Sequence, residues 1–336
     1  MRVQAAEALD GLGGFAEPWM REAFLKVARH AFVPDTVWVW RDDAYRPLRA
    51  AEGTLPTSSI SAPDAVFTML AAADVRPGTR VLEIGTGTGY NAALLCERAG
   101  AASVTSVEVD PGLAEVAARR LAEAGYHPRV VAADGEDGWA PDAPYDRVLC
   151  TASLQRVPFA WVEQTRPGGL VVTPWKTTLQ PQGMVRLRVA DDGASASGHF
   201  DQPMSFMDLR GQRRPDSPLG QVYSAASWEE SRDSRTALDP SFLDTDFHAR
   251  FALGLRLPGV HWAEDGWLAT ADSWAYVRDG GVHQWGPRDL FSELERAYEW
   301  WREAGSPELY DFGLTVTADG QTAWLGRPGA VIPSCG

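Results

Sequence analysis

Between residues 65 and 175, short apolar runs alternate with longer stretches in which apolar side chains recur every three or four positions. The runs cover residues 80–84, 103–107, 128–132, 147–151 and 170–174, and the period between them predicts helices over 92–98 and 113–124. Short apolar strands separated by helices pair in parallel, because each return to the same end of the sheet needs a crossover, and the helices then cover both faces. The pattern therefore predicts an α/β fold, doubly wound around a mostly parallel sheet. Ahead of it, Phe24, Leu25, Val27 and Ala28 have helical spacing that stops at Phe32-Val33-Pro34. Residues 51–64, AEGTLPTSSISAPD, read as a loop. After Trp175 the text turns to hairpin pieces such as 184–189, followed by a DDG turn. The stretch GQRRPDSPLG reads as a connector, which divides the chain into residues 1–211 and 212–336. The second part predicts strand-turn-strand pieces (267–277, then DGG, then 282–285), a helix over 289–304, and a hairpin (313–316 and 322–325) turning at ADG. These make a smaller C-terminal α+β domain.

Charge narrows the partners. The net charge is −14, and residues 200–336 carry 21 acidic side chains against 12 basic ones, so the chain repels phosphate backbones and nucleic acid is excluded as a partner. No apolar run approaches the roughly 20 residues that span a bilayer, so no membrane partner is expected. The N-terminus lacks a basic segment leading into an apolar one, and Cys96, Cys150 and Cys335 form no CxxC pair. A disulfide framework and a metal site are therefore not expected, and a reducing cytoplasm fits. Eight of the 14 tryptophans follow residue 200, a density that belongs either to a small-domain core or to a binding surface.

The segment Arg80-Val81-Leu82-Glu83-Ile84-Gly85-Thr86-Gly87-Thr88-Gly89-Tyr90 carries the chemistry. An apolar strand ends in an acid, and three alternate glycines lead into a helix; glycine serves where backbone turns sharply and nears a ligand. A dinucleotide fingerprint would place its third glycine one residue later, where this chain has Tyr90, so the spacing favours a ligand without pyrophosphate. Glu108, at the end of the next strand, can accept both hydroxyls of a ribose, and Asp134, after the third, can accept from the amine of adenine. The arrangement resembles the Rossmann-like class I S-adenosylmethionine methyltransferases. That resemblance implies S-adenosyl-L-methionine as cofactor, held by Glu83, Gly85, Thr86, Gly87, Gly89, Asn91, Glu108, Val109, Asp134 and Gly135.

Further motifs refine the likeness. Arg29-His30-Ala31-Phe32-Val33-Pro34, Ala44-Tyr45, Pro47-Leu48 and Ser59-Ile60-Ser61-Ala62-Pro63 precede the glycine loop. Ala143-Pro144-Tyr145-Asp146, Val157-Pro158, Arg166-Pro167-Gly168-Gly169 and Met204-Ser205-Phe206-Met207-Asp208-Leu209 follow it. In this order they resemble the protein-L-isoaspartate O-methyltransferase family over about residues 15–211. The resemblance implies methyl transfer to a carboxylate of a peptide or protein containing Asp or isoAsp. It makes Ser61 the residue that orients the acceptor, with Ser59 and Ile60 lining the same pocket. Such a nucleophile is already ionised at neutral pH, so positioning can supply most of the catalysis.

Two departures point away from general repair. The family's loop continues to His where this chain has Asp64, an acid that repels an incoming carboxylate unless it caps a helix beginning at Ala65. The segment after residue 211 is also more than a repair enzyme needs. Both features resemble the isoaspartyl-methyltransferase-like enzymes found with lanthipeptide and graspetide pathways. On that expectation the acceptor is an aspartate of a ribosomal peptide precursor held by the C-terminal domain, and its ester closes to an aspartimide. The alternatives are conventional isoaspartate repair, a cofactor-binding module without activity, and a small-molecule methyltransferase.

Overall fold

A computed structural model describes residues 2–33, 38–41, 44–47, 60–213, 217–263 and 265–335. Ser59, Pro34, Leu48 and residues 214–216 of the expected connector lie outside them. The chain forms two compact units, one of Met1–Ala152, Pro158–Thr173 and Arg188–Ala196, the other of Ser153–Val157, Pro174–Leu187 and Ser197–Gly336.

The first unit opens with α1 (Arg2–Gly11) and α2 (Pro18–Lys26), followed by a 3-10 turn, Arg29–Phe32, and a small hairpin, β1 (Trp38–Arg41) and β2 (Ala44–Pro47). The single helix expected to run to Phe32 thus ends at Lys26. Next come α3 (Pro63–Ala73), β3 (Val81–Ile84), α4 (Tyr90–Ala99), β4 (Val104–Glu108), α5 (Pro111–Glu123), β5 (Arg129–Ala132), β6 (Tyr145–Cys150), α6 (Phe159–Glu163) and β7 (Thr165–Lys176). The strands lie in the order β7-β6-β3-β4-β5, and each neighbouring pair is parallel. Every residue of β3 and β4 is buried, as expected of central strands covered on both faces, whereas β5, at the edge, is half-buried at Val130 and Val131 and exposed at both ends. Glycine lets α5 pack close to the loop after β3: a Cβ on Gly89 would lie 3.2 Å from Leu121 Cγ.

In the second unit the chain continues through β8 (Gln182–Val189) and β9 (Ser195–Pro203), two short helices α7 (Leu219–Val222) and α8 (Ala225–Glu229), and β10 (Arg232–Arg235). Then follow α9 (Phe242–Thr245), α10 (Phe247–Arg256), β11 (His261–Ala263), β12 (Trp267–Ala269), β13 (Trp274–Arg278), β14 (Gly281–Trp285), α11 (Leu290–Glu303), β15 (Phe312–Thr317) and β16 (Gly320–Leu325). One sheet has the order β10-β14-β13-β12-β11 and is antiparallel throughout, and β15 pairs antiparallel with β16. The piece expected over 267–277 is two strands, because Thr270 Oγ1 takes the Ser273 N–H at 3.1 Å and closes a turn that no glycine or proline marks. Apolar residues fill the interior beside α10, where Phe251 meets Trp175, Phe200 and Phe312 edge-on or tilted. Among the described residues no helix is long and apolar enough to cross a membrane.

Candidate functional site

The site grows from the carboxyl end of β3. Glu83 is fully buried, with Asn91 Nδ2 donating to one oxygen at 2.7 Å and Ser106 Oγ to the other at 2.5 Å. Ser106 Oγ also lies 2.6 Å from Thr86 Oγ1, so a chain of hydrogen bonds runs from the carboxyl beneath the glycine loop into the loop itself. Both Glu83 oxygens thus accept from side chains that form the floor of the loop.

Burial lifts the Glu83 carboxyl from 4.5 to about 7, against the opposing pull of the Ser106 and Asn91 hydrogen bonds. The sign of its effect on stability follows. Between those two values the folded chain keeps a proton that the unfolded chain has released, so stability falls as pH rises through the interval and levels off above it. The difference amounts to about 3 kcal/mol. Glu83→Gln removes the titration, so its stability relative to the parent protein should climb between about pH 5 and about pH 8 in urea unfolding. A parallel pH profile for the two proteins would contradict a buried titrating Glu83.

Above this floor the backbone is left-handed at Gly85, Gly87 and Gly89, with φ of +91°, +53° and +89°. L-residues with a Cβ adopt such angles at a cost, which explains the three glycines. Val107 O accepts from the N–H groups of Gly85 and Thr86 at 2.9 and 3.2 Å. Glu108, at the end of β4 and 6% exposed, accepts the Gly87 N–H at 2.9 Å on one oxygen and the Asp110 N–H at 3.1 Å on the other. Each carboxylate oxygen retains further acceptor capacity. Val109 beside it is 39% exposed.

After β5, Asp134 is exposed and caps the next 3-10 turn by accepting from Glu136 N at 3.0 Å. Gly135 is pressed against β3; a Cβ there would stand 2.6 Å from Ile84 Cγ2. Its carbonyl accepts from the buried Trp161 indole at 2.8 Å. The ends of β3, β4 and β5 thus meet around one backbone cradle.

The acceptor segment is held from the N-terminal side. Arg29 Nη2 donates to the carbonyls of Ile60 and Ser61 at 3.3 and 3.1 Å, and its guanidinium lies 5.8 Å from the centre of the Tyr90 ring. Burial pulls the Arg29 guanidinium below its ordinary range and pushes the Tyr90 phenol up to about 12. Phe32 packs edge-on against Tyr90 at 5.9 Å. Tyr90 directly follows the last loop glycine, so this pair of side chains connects Ser61 to the glycine loop.

Ser61 is half-buried, and Ser59 lies outside the described residues. Asp64 is exposed in the first turn of α3, which starts at Pro63 with Ala62 as its N-cap and no side-chain cap. The helix expected to begin at Ala65 behind an Asp64 cap begins two residues earlier, because proline at the first helical position presets φ. Asp64 instead sits where the helix dipole favours an acid.

Arg29, Tyr90, Ser106 and Trp161 were not assigned roles by sequence. Arg29 and Tyr90 stood inside recognised motifs, but only the fold shows that they touch. Ser106 carried no signal of its own, since a serine within an apolar strand reads as a tolerated core residue.

The donors and acceptors suit S-adenosylmethionine. Carboxylates at the ends of β4 and β5 match hydroxyls and an amine, and Asn91 Oδ1 is a buried acceptor with no hydrogen-bond donor among the described residues. The comparisons with known proteins agree. Residues 6–213 match the family described as "Protein-L-isoaspartate(D-aspartate) O-methyltransferase (PCMT)". The protein-L-isoaspartate O-methyltransferase of Methanopyrus kandleri is 42% identical over 178 residues, 52% of this chain and 76% of that protein. That of Pyrococcus horikoshii is 35% identical over 195 residues, 57% of this chain and 84% of its own length.

Among solved structures, one titled "protein-L-isoaspartate O-methyltransferase" superposes with a TM-score of 0.58 at 20% identity, covering 97% of this chain and all of its own. A putative Plasmodium falciparum enzyme of the same description, in complex with S-adenosyl-L-homocysteine, gives 0.50 at 15% identity, covering 62% of this chain and 98% of that one. The first of these folds extends over nearly the whole chain. The segment after residue 211 is therefore included in that likeness of fold.

Proposed function

This chain belongs to the protein-L-isoaspartate(D-aspartate) O-methyltransferase family, whose S-adenosylmethionine-dependent members methylate protein carboxyl groups, and from that premise we propose that its acceptor is the free carboxylate of an isoaspartyl residue in a peptide or protein. The observation that carries the proposal is the Arg29 clamp on Ile60 and Ser61, which fixes a segment matching the family's acceptor loop. When bound, S-adenosylmethionine supplies an electrophilic methyl carbon on a sulfonium centre. In this reading Glu108 takes the ribose hydroxyls, Asp134 the adenine amine, and the backbone of Gly85, Gly87 and Gly135 lets the ligand approach closely. Ser61 donates its hydroxyl hydrogen to the acceptor carboxylate, orienting it without a permanent countercharge, so the carboxylate stays nucleophilic. With the cofactor bound, the acceptor held by Ser61 would gain an oxygen–methyl bond as the sulfonium lost its sulfur–methyl bond, giving a methyl ester and a neutral thioether. No proton moves in this step, so no general base is required.

Asp64 favours a second reading, in which the acceptor is an ordinary aspartate of one dedicated ribosomal peptide, bound by residues 212–336 and carried on to an aspartimide. The acid stands three residues from Ser61, where the family has His, and it is exposed. The test is intact-mass spectrometry of paired peptides, one with L-aspartate and one with isoaspartate, incubated with enzyme and S-adenosylmethionine. Gain of one methylene on the isoaspartyl peptide alone supports the proposal. Modification of aspartyl peptides only, by that gain or by net loss of water, overturns it in favour of the second reading.

A further inference from the structure

The antiparallel sheet β10-β14-β13-β12-β11 is finished on one face and unfinished on the other. On the finished face Leu268, Ala275, Val277 and Val282 are buried, and α11 covers them with Leu290, Phe291 and Leu294. Gln284 joins the two by accepting the Phe291 N–H at 2.7 Å. This layer is an ordinary sheet-on-helix core. The opposite face carries a row of directly paired residues across four strands, Trp267–Tyr276–His283–Asp233. Among the described residues the short helices α7 and α8 lie over it, with Tyr223 just after α7 and Trp228 in α8.

These rings form a slab. Trp228 stacks on Trp274 at 5.7 Å and 6°, lies 4.4 Å from His283, and Trp267 lies 4.4 Å from Tyr276. Tyr223 stands edge-on to Trp267 at 5.1 Å and is 43% exposed. Trp228, Trp267, Tyr276 and His283 are each half-buried. Adjacent aromatic rings left partly in water mark a contact surface more often than scattered single exposures do. Ring faces and edges also give the slab a preference, since the π-face attracts cations.

The surrounding charge has the matching sign. Asp233 pairs with His283 at 2.7 Å, Glu230 accepts from the Trp285 indole at 3.2 Å, and Glu229, Asp265 and Asp279 are exposed nearby on the same elements or turns. Against these five acids stand Arg235 and Arg278 on the same strands, the latter 3.9 Å from Asp279. Arg232 is engaged with Asp289 at 2.6 Å.

We infer that this aromatic face, with its acidic rim, docks an arginine-bearing peptide segment, whose guanidinium planes lie on the rings while its charge is met by the acids. Arginine suits the surface better than lysine, because its planar, weakly hydrated head stacks on rings. The inference does not depend on which carboxylate the enzyme methylates.

The test is a tryptophan-fluorescence titration of the full chain with an Arg-Gly-Arg-Gly-Arg peptide and its citrulline counterpart, which keeps the shape and removes the charge. The arginine peptide is expected to bind about tenfold more tightly than the citrulline one. Tyr223→Ala and Tyr276→Ala should each weaken it roughly fivefold with unchanged methyl transfer to an isoaspartyl peptide lacking arginine, and the exposed Tyr223→Ala with an unchanged thermal midpoint. Equal binding of the two peptides, or full binding by the double variant, overturns the inference and leaves the slab as plain core. Because the titration needs neither cofactor nor acceptor carboxylate, its failure is distinct from failure of the methylation assay.

Discussion

Glu108→Ala is expected to weaken S-adenosylmethionine binding by about a hundredfold, equivalent to about 3 kcal/mol. The carboxylate receives the Gly87 and Asp110 N–H groups, so its removal leaves two half-buried donors without this partner and frees the middle of the glycine loop. In the proposed binding mode the ribose hydroxyls lose their acceptor as well. Hydrogen bonds to a charged group contribute about 1.5–3 kcal/mol each, and the loss of several in one place is partly offset by water entering the gap. Glu108→Gln keeps one acceptor oxygen and should fall between the two, at roughly tenfold. Isothermal titration with S-adenosylmethionine checks both values. An unchanged affinity in the alanine variant, with the fold retained, would detach Glu108 from the cofactor altogether.

The second large effect is expected at Arg29, and it should appear in turnover rather than in cofactor affinity. Arg29 is the link between the acceptor segment and the residue that follows the glycine loop: one nitrogen holds two successive carbonyls, and the guanidinium lies over Tyr90. Truncation to alanine releases Ile60 and Ser61 and leaves a void beside a buried phenol. Misplacing a positioning group by about 1 Å can cost on the order of a hundredfold in rate, and kcat on an isoaspartyl peptide is expected to fall by about that factor. Affinity for S-adenosylmethionine should stay within about threefold, since no cofactor ligand is removed. Arg29→Lys keeps the charge but not the planar fork that reaches both carbonyls, and should recover only part of the rate. If the alanine variant loses cofactor affinity and kcat together, Arg29 supports the whole site instead of the acceptor segment.

The parallel part of the fold was legible because its central strands, β3 and β4, are buried on both faces and, with their neighbours, read as short apolar-rich runs between helical stretches. The run expected over 103–107 is the strand Val104–Glu108, and the one expected over 147–151 is Tyr145–Cys150. The glycine loop was legible for a related reason, since its three left-handed positions admit little else. Two boundaries set by single side chains were not. The turn at Thr270–Ser273 is closed by a threonine side chain, and the start of α3 by a proline whose effect reaches back to Ala62. The family motifs marked Arg29 and Tyr90 as notable without saying that one lies over the other. A contact between residues 61 positions apart depends on how α2, α3 and α4 pack, and no local pattern encodes it. The place of Glu83 ahead of the glycines is plain in the sequence, but its hydrogen bonds from Asn91 and Ser106, 8 and 23 positions away, are not.

The glycine loop contains three of the freest backbones in the chain, yet it is fastened from two sides. Thr86 is tied downward through Ser106 to Glu83, and Gly87 sideways to Glu108. Fastening of this kind shows in time rather than in space. Without any ligand, the Gly85, Thr86 and Gly87 amides should trade their protons for deuterons as slowly as those in the middle of β3, although the sequence there looks like a hinge. A loop already still before its ligand arrives has little disorder left to surrender on binding.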